Sequence, residues 1–213
     1  DPGSFVWADG RGTSAEQAGI DDLDFFAQLF DTIAARYRVD TQRYYITGIS
    51  NGGFMSQYLA CTFSDQLAGS ATVAATLDSN LLGSCAFSTP LPGLFFLGTN
   101  DAFVPYNGGP MSTGVGVVLG ARDLFDFYAQ QAGCDSALLD STALPDTDTA
   151  DNSSVTLFEW GGCSCGMAPK LYRINDGGHT WPGVAIDQVE ARLGETNEDI
   201  HASSVMWNYL KQF

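Results

Sequence analysis

A chain of 213 residues, 45% hydrophobic and 12% aromatic, has enough apolar material for one domain with a sizeable core and excludes a disordered polymer. Twenty-five acidic against nine basic residues give a formal net charge of −16, which repels phosphate backbones and anionic membrane surfaces and argues against nucleic acid as a partner. No apolar run approaches the roughly 18 residues of a membrane span, and no signal peptide is visible, so residues 1–213 read as one domain of a mature or excised chain.

The first predicted element is a helix over residues 21–38. Leu23, Phe26, Phe30, Ile33 and Tyr37 recur at spacings of three and four, with Asp21, Asp22 and Asp24 at its start and Arg36 and Arg38 at its end, as the helix dipole favours. Residues 43–49, aromatic and β-branched, predict a buried strand. A glycine-flanked turn follows, and then Phe54, Met55, Tyr58 and Leu59 mark a second amphipathic helix. Residues 71–75 predict a short strand of small residues, and Gly93–Gly98 encloses four apolar residues suited to a strand buried on both faces. Residues 119–132 predict a helix with Leu124, Phe125 and Tyr128 inward, stopped by Gly133. The Asp- and Ser/Thr-rich segment 135–153 reads as a long surface loop. Asp146, Asp148 and Asp151 lie in it, but no full calcium-loop pattern accompanies them. Residues 155–160 and 171–174 predict strands, and 199–213 a helix with Ile200, Trp207 and Leu210 on one side. Strands alternating with helices indicate an α/β fold on a mostly parallel sheet.

Gly48-Ile49-Ser50-Asn51-Gly52 matches the nucleophile-elbow pattern G-x-S-x-G between a predicted strand and a predicted helix. Side chains at the flanking positions 48 and 52 are expected to collide with neighbouring backbone in so sharp a turn. The helix that follows aims its N-terminus at Ser50, and the Asn51 N–H is placed to donate to a developing oxyanion. A second match, Gly162-Cys163-Ser164-Cys165-Gly166, is followed by Pro169 and a strand rather than a helix, so Ser164 reads as a turn residue. A serine hydroxyl needs a base, and the base needs a carboxylate. Of the two histidines, His201 falls at the C-terminal helix, whereas His179 occupies a Gly-Gly-His-Thr-Trp-Pro-Gly loop directly after a strand. Asp101 follows the buried 93–98 strand, and the order Ser50, Asp101, His179 is that of α/β-hydrolases. Trp181, Tyr106 and Trp7 are candidates for an aromatic wall beside the acyl group.

Five cysteines permit two disulfides and one odd thiol, and spacing alone leaves fifteen arrangements open. With two histidines and a Cys163-Ser164-Cys165 spacing, a zinc site finds no support.

At Gly19-Ile20-Asp21-Asp22-Leu23, at residues 45–53, at Gly98-Thr99-Asn100-Asp101 with Val104-Pro105-Tyr106, and at residues 177–183, the chain resembles the polyhydroxybutyrate depolymerase and feruloyl esterase family of secreted α/β-hydrolases. The resemblance implies carboxylic ester hydrolysis through an acyl-enzyme, with no metal or organic cofactor, in an extracellular setting. It gives Ser50, Asp101 and His179 the roles read above, and it implies pairing of Cys61 with Cys85 and of Cys134 with Cys163, leaving Cys165 odd. The chain departs from the family before residue 50. Only 49 residues precede the serine, no His-Gly segment supplies the second oxyanion donor, and no strand is available to flank residues 43–49. A family member without its N-terminal strands is therefore expected, its sheet completed by a missing segment or a second chain. The expected activity is that of a serine esterase on short-chain, feruloyl or acetyl esters. The alternatives are a polyester depolymerase and a non-catalytic binding domain that kept the fold.

Overall fold

The computed structural model describes residues 5–184 and 192–213. Among them the main sheet has six strands: β1 (Tyr44–Ile49), β2 (Leu67–Val73), β3 (Gly93–Gly98), β6 (Leu139–Ala143), β7 (Ser154–Trp160) and β8 (Lys170–Asn175), in the order β1-β2-β3-β8-β7-β6. The first four in that order run parallel, and β7 runs antiparallel to both of its neighbours, β8 and β6. A short ribbon of β4 (Gly109–Pro110) and β5 (Val117–Val118) lies beyond β3. The helices are α1 (Ser14–Gln17), α2 (Asp22–Arg36), α3 (Asn51–Phe63), α4 (Ala121–Gln131) and α5 (Ala202–Leu210).

The parallel pairing matters for function because it puts the carboxyl ends of β1, β3 and β8 on one edge of the sheet. Ile49 pairs with Val73, Val73 with Phe96, and Phe96 with Tyr172, so the segments after Ile49, Gly98 and Asn175 emerge side by side.

Two apolar layers hold this arrangement. β3 is buried along its whole length: Phe95 and Leu97 meet Leu124, Phe125 and Tyr128 of α4, while Leu94 and Phe96 meet Ala202, Met206 and Leu210 of α5. Full burial of one such side chain contributes about 1.5–3 kcal/mol. Tyr128 is fully buried without a polar penalty, since its hydroxyl bonds Ser70 Oγ and donates to Gln57 Oε1; burial pushes its pKa well up. Gly133, at φ +61°, stops α4, and its N–H donates to Gln130 O. Disulfides join Cys61 of α3 to Cys85 and Cys134 to Cys163. Closing loops of this length contributes about 3 kcal/mol each in the chain-entropy picture. The side chain of Cys165 lies outside the described residues.

Three expectations need correction, and one element was not anticipated. β1 is a half-exposed edge strand rather than a buried one, because among the described residues nothing pairs with its outer side. The segment 135–153 is not all loop: Leu139–Ala143 pairs with β7, and its polar, outward-facing residues hide the strand from a hydrophobicity reading. The 199–213 helix begins at Ala202 and buries Ala202, Met206 and Leu210. Those residues are four apart and share a face, so Trp207, one step further round, stands 58% exposed and Ile200 precedes the helix. The β4–β5 ribbon has no counterpart in the sequence reading.

Candidate active site

Ser50 closes β1 and opens α3 with φ 54° and ψ −122°, a conformation that side chains seldom adopt and that functional turns retain. Its N–H donates to Val73 O at 3.0 Å and its carbonyl accepts from Phe54 N at 2.9 Å, so the turn is fixed from both sides. Gly48 is required: a Cβ there would stand 2.4 Å from the Gly52 backbone. The expected collision at Gly52 does not occur, since a Cβ there would meet nothing. It falls instead at Gly53, where a Cβ would sit 2.6 Å from the Ala75 Cβ as α3 passes close over the end of β2.

The loops leaving β3 and β8 are laced together. Thr99 N donates to Ile174 O, Asn100 N to Gly177 O, and Asp176 N to Thr99 Oγ1, at 2.8–2.9 Å. The lacing brings Asp101 Oδ2 to 2.7 Å from His179 Nδ1, with both side chains almost wholly buried. Asp101 Oδ1 accepts from the Phe103 and Val104 N–H groups at 2.8 and 2.9 Å, which orients the carboxylate, and the Phe103 ring lies 5.1 Å from the imidazole. The histidine loop is backed by the segment 193–197: Gly178 N donates to Glu195 O, His179 N to Leu193 O, and Gly183 N to Asn197 O. A Cβ at Gly178 would be 2.1 Å from Leu193 O, so only glycine admits that contact.

The other sequence candidates fall elsewhere. His201 is the exposed residue that immediately precedes α5, and Ser164 sits in a 3-10 turn between β7 and β8. Trp181 turns toward α5, donates to Ser203 Oγ, and lines a cleft of about 220 Å³ with Tyr45, Met206 and Trp207. Tyr106 packs on the apolar cluster under α4, where burial raises its pKa. Trp7 lines a separate cavity of about 430 Å³ between α2 and β1. The three aromatics thus do not form one wall. Asp148 and Asp151 accept from backbone N–H groups of their own loop, and no cluster of three or more metal-ligating side chains occurs among the described residues.

A feature with no motif to announce it lies beside the elbow. Asp9 is 1% exposed; its carboxylate accepts from Arg11 Nε and Nη2 at 2.9 and 2.6 Å and from Asn51 Nδ2 at 2.7 Å. Burial raises the Asp9 pKa above its ordinary value, and the Arg11 guanidinium offsets only part of that rise.

No protein-family model matches the chain. By sequence it is 30% identical over 198 residues to feruloyl esterase B of Piromyces equi, covering 91% of this chain and 32% of that protein. It is 25% identical to a bifunctional acetylxylan esterase/xylanase of Neocallimastix patriciarum, over 80% of this chain and 23% of the other. A stretch of 47 residues, 22% of this chain and 11% of the other, is 40% identical to poly(3-hydroxyalkanoate) depolymerase C of Paucimonas lemoignei. Among solved structures, acetyl xylan esterase from Aspergillus awamori superposes with a TM-score of 0.50 at 13% identity, over 88% of this chain and 66% of that one. The structural likeness is one of fold and bears out the α/β-hydrolase expectation. The sequence relatives bear out the resemblance to feruloyl esterases and polyhydroxyalkanoate depolymerases. The chain spans about a third or less of the length of its first two curated relatives.

Proposed function

We propose that this chain carries the catalytic centre of a serine carboxylic ester hydrolase acting on feruloyl or acetyl esters. The observation behind the reading is the buried Asp101–His179 hydrogen bond, formed on the sheet edge where Ser50 occupies its strained turn. Names of relatives, feruloyl esterase and acetylxylan esterase, supply the substrate class.

In this reading Asp101 accepts a hydrogen bond from the Nδ1–H of His179, which fixes the tautomer and leaves Nε2 free to take the Ser50 hydroxyl proton. Ser50 Oγ bonds to the ester carbonyl carbon, and the carbonyl oxygen becomes an oxyanion facing the Asn51 N–H at the start of α3. Collapse breaks the ester bond, and His179 returns its proton to the departing alcohol. Water then repeats the sequence on the acyl-enzyme, releasing the carboxylic acid and restoring the Ser50 hydroxyl. The chemistry draws on side chains and backbone alone.

The remaining parts of the reading concern context. Two disulfides suit an oxidising compartment, and the protein acts outside the cell. A further polypeptide segment, or a second chain, pairs with the open side of β1.

The wild-type protein is expected to release nitrophenol from p-nitrophenyl acetate. Ser50→Ala and His179→Ala should each lower kcat by about 10⁴-fold, near the limit set by the remaining parts of the site. Equal rates for wild type and Ser50→Ala would leave a binding domain as the better account. Methyl ferulate, acetylated xylan and a hydroxybutyrate trimer assayed side by side separate the ester classes, the trimer testing the polyester reading that the Paucimonas match favours.

A further inference from the structure

The buried pair at Asp9 and Arg11 has a direction to it. Every polar atom of the Asn51 side chain is engaged by the segment 7–11: Trp7 N–H donates to Asn51 Oδ1 at 2.8 Å, and Asn51 Nδ2 donates to Asp9 Oδ2 at 2.7 Å. Asn51 immediately follows Ser50 and is the first residue of α3. The segment that grips it is itself pinned. Ala8 N donates to Asp22 Oδ2 of α2 at 2.8 Å, Gly10 N donates to Glu16 Oε1 of α1 at 2.6 Å, and Thr13 Oγ1 donates to Trp7 O at 2.9 Å. Arg11 completes the frame: its guanidinium lies 3.8 Å over the Phe54 ring, one turn along α3, while Nη1 lies 3.1 Å from Met111 Sδ. The side chains of Asp9 and Arg11 are 0% and 7% exposed. Burying a charge pair rarely adds net stability over an apolar pair of the same size. What it does supply is a fixed carboxylate: Arg11 engages both of its oxygens, and Oδ2 also accepts from a neutral donor, the Asn51 amide.

We infer that Asp9 is a positioning residue: held by Arg11, its carboxylate locks the Asn51 side chain and thereby aims the Asn51 N–H at the oxyanion of the reacting ester. The inference rests on the esterase reading of Ser50. Asp9 touches no reacting atom and acts only through Asn51. Its loss is therefore felt in turnover, because an oxyanion forms only in the transition state. Removing an oxyanion donor outright costs about 10²–10³-fold. Loosening one that remains in place costs less, on the order of 10-fold.

The test is a double-mutant cycle with a spectroscopic companion. Asp9→Asn and Asn51→Ala should each lower kcat on p-nitrophenyl acetate about 10-fold with KM changed less than about twofold, and the double variant should be no worse than the poorer single. A double variant at the product of the two losses, or a fall in melting temperature at unchanged kcat, overturns the inference. Independently of turnover, the Asn51 side-chain amide in wild-type NMR spectra should exchange slowly with solvent. Fast exchange there breaks the clamp even if Asp9→Asn fails to fold. Labelling of Ser50 by a fluorophosphonate keeps the two readings apart. A wild type that neither hydrolyses ester nor takes the label sinks the esterase reading, while the amide resonance still judges the clamp.

Discussion

Ser50 holds backbone strain of a kind that costs about 1–3 kcal/mol, and the proposed chemistry gives that strain a use. Glycine tolerates φ 54° freely but loses more chain entropy on folding, about 0.5–1 kcal/mol. Ser50→Gly is therefore expected to raise the urea unfolding free energy by about 1 kcal/mol while abolishing hydrolysis. No gain in stability would mean that the surrounding hydrogen bonds to Val73 and Phe54 leave the turn unstrained. The same residues show what a sequence reveals about a site. The proposed site residues Ser50, Asp101 and His179 stand out in the sequence because each follows an apolar strand and because glycines stand where the backbone must crowd. Asp9 and Arg11 were not, since a short Asp-Gly-Arg stretch in a coil has no periodicity, and its meaning comes from a contact 42 residues away. Gly52 shows the opposite error: it satisfies the motif, yet the steric constraint falls on Gly53.

At the scale of elements, the predicted pattern was reliable where burial is two-sided and weak where it is one-sided. β3 and α4 were placed within a residue or two because continuous apolar runs and a three-four repeat leave few alternatives. β6 was missed because an edge strand needs only backbone pairing, and Leu139–Ala143 carries one large apolar residue. The segment backing His179 is tied down through Asp199, which lies just beyond it. Asp199 accepts from Thr147 N and Oγ1, from Asp148 N and from Asn197 Nδ2. Burial acts to raise its pKa, but the hydrogen bonds from Asp148, Asn197 and Thr147 outweigh it, and the net shift is downward from 3.8. A carboxyl with a lowered folded pKa stabilises the fold above its unfolded value and loses that contribution as pH falls through the folded value. Asp199→Asn should therefore melt below wild type at pH 6, with the gap closing as pH falls below about 4. A gap that persists unchanged at pH 2 would assign the effect to lost packing rather than to charge.

On the scale of the whole molecule, two features oppose one another. The outer side of β1 has no strand partner among the described residues, and apolar clefts of about 430 and 220 Å³ flank it on the two sides of the sheet. α2 adds to this surface: it has no buried residue and leaves Phe25 48% exposed, while Trp207 stands out from α5 on the other side. Unpaired N–H and C=O groups beside apolar surface form a template for strand addition. Against this stands a net charge of −16, which keeps copies of the chain apart by long-range repulsion. The balance depends on screening, since the Debye length falls from about 8 Å at physiological salt to about 3 Å at 1 M. Sedimentation equilibrium should accordingly find mostly monomer at low salt and association as sodium chloride rises to about 1 M. Hydrogen exchange localises the contact: outward amides of β1 should exchange freely at low salt and become protected as association proceeds, while β3 stays protected throughout. Association that leaves the β1 amides unprotected would place the sticky surface elsewhere, and a chain that stays monomeric at high salt would mean that the twist and side chains of β1 already block pairing. If β1 does become protected, the edge beside the proposed nucleophile is a pairing surface in its own right, and Ser50, at the end of that strand, would be steadied by whatever strand occupies it.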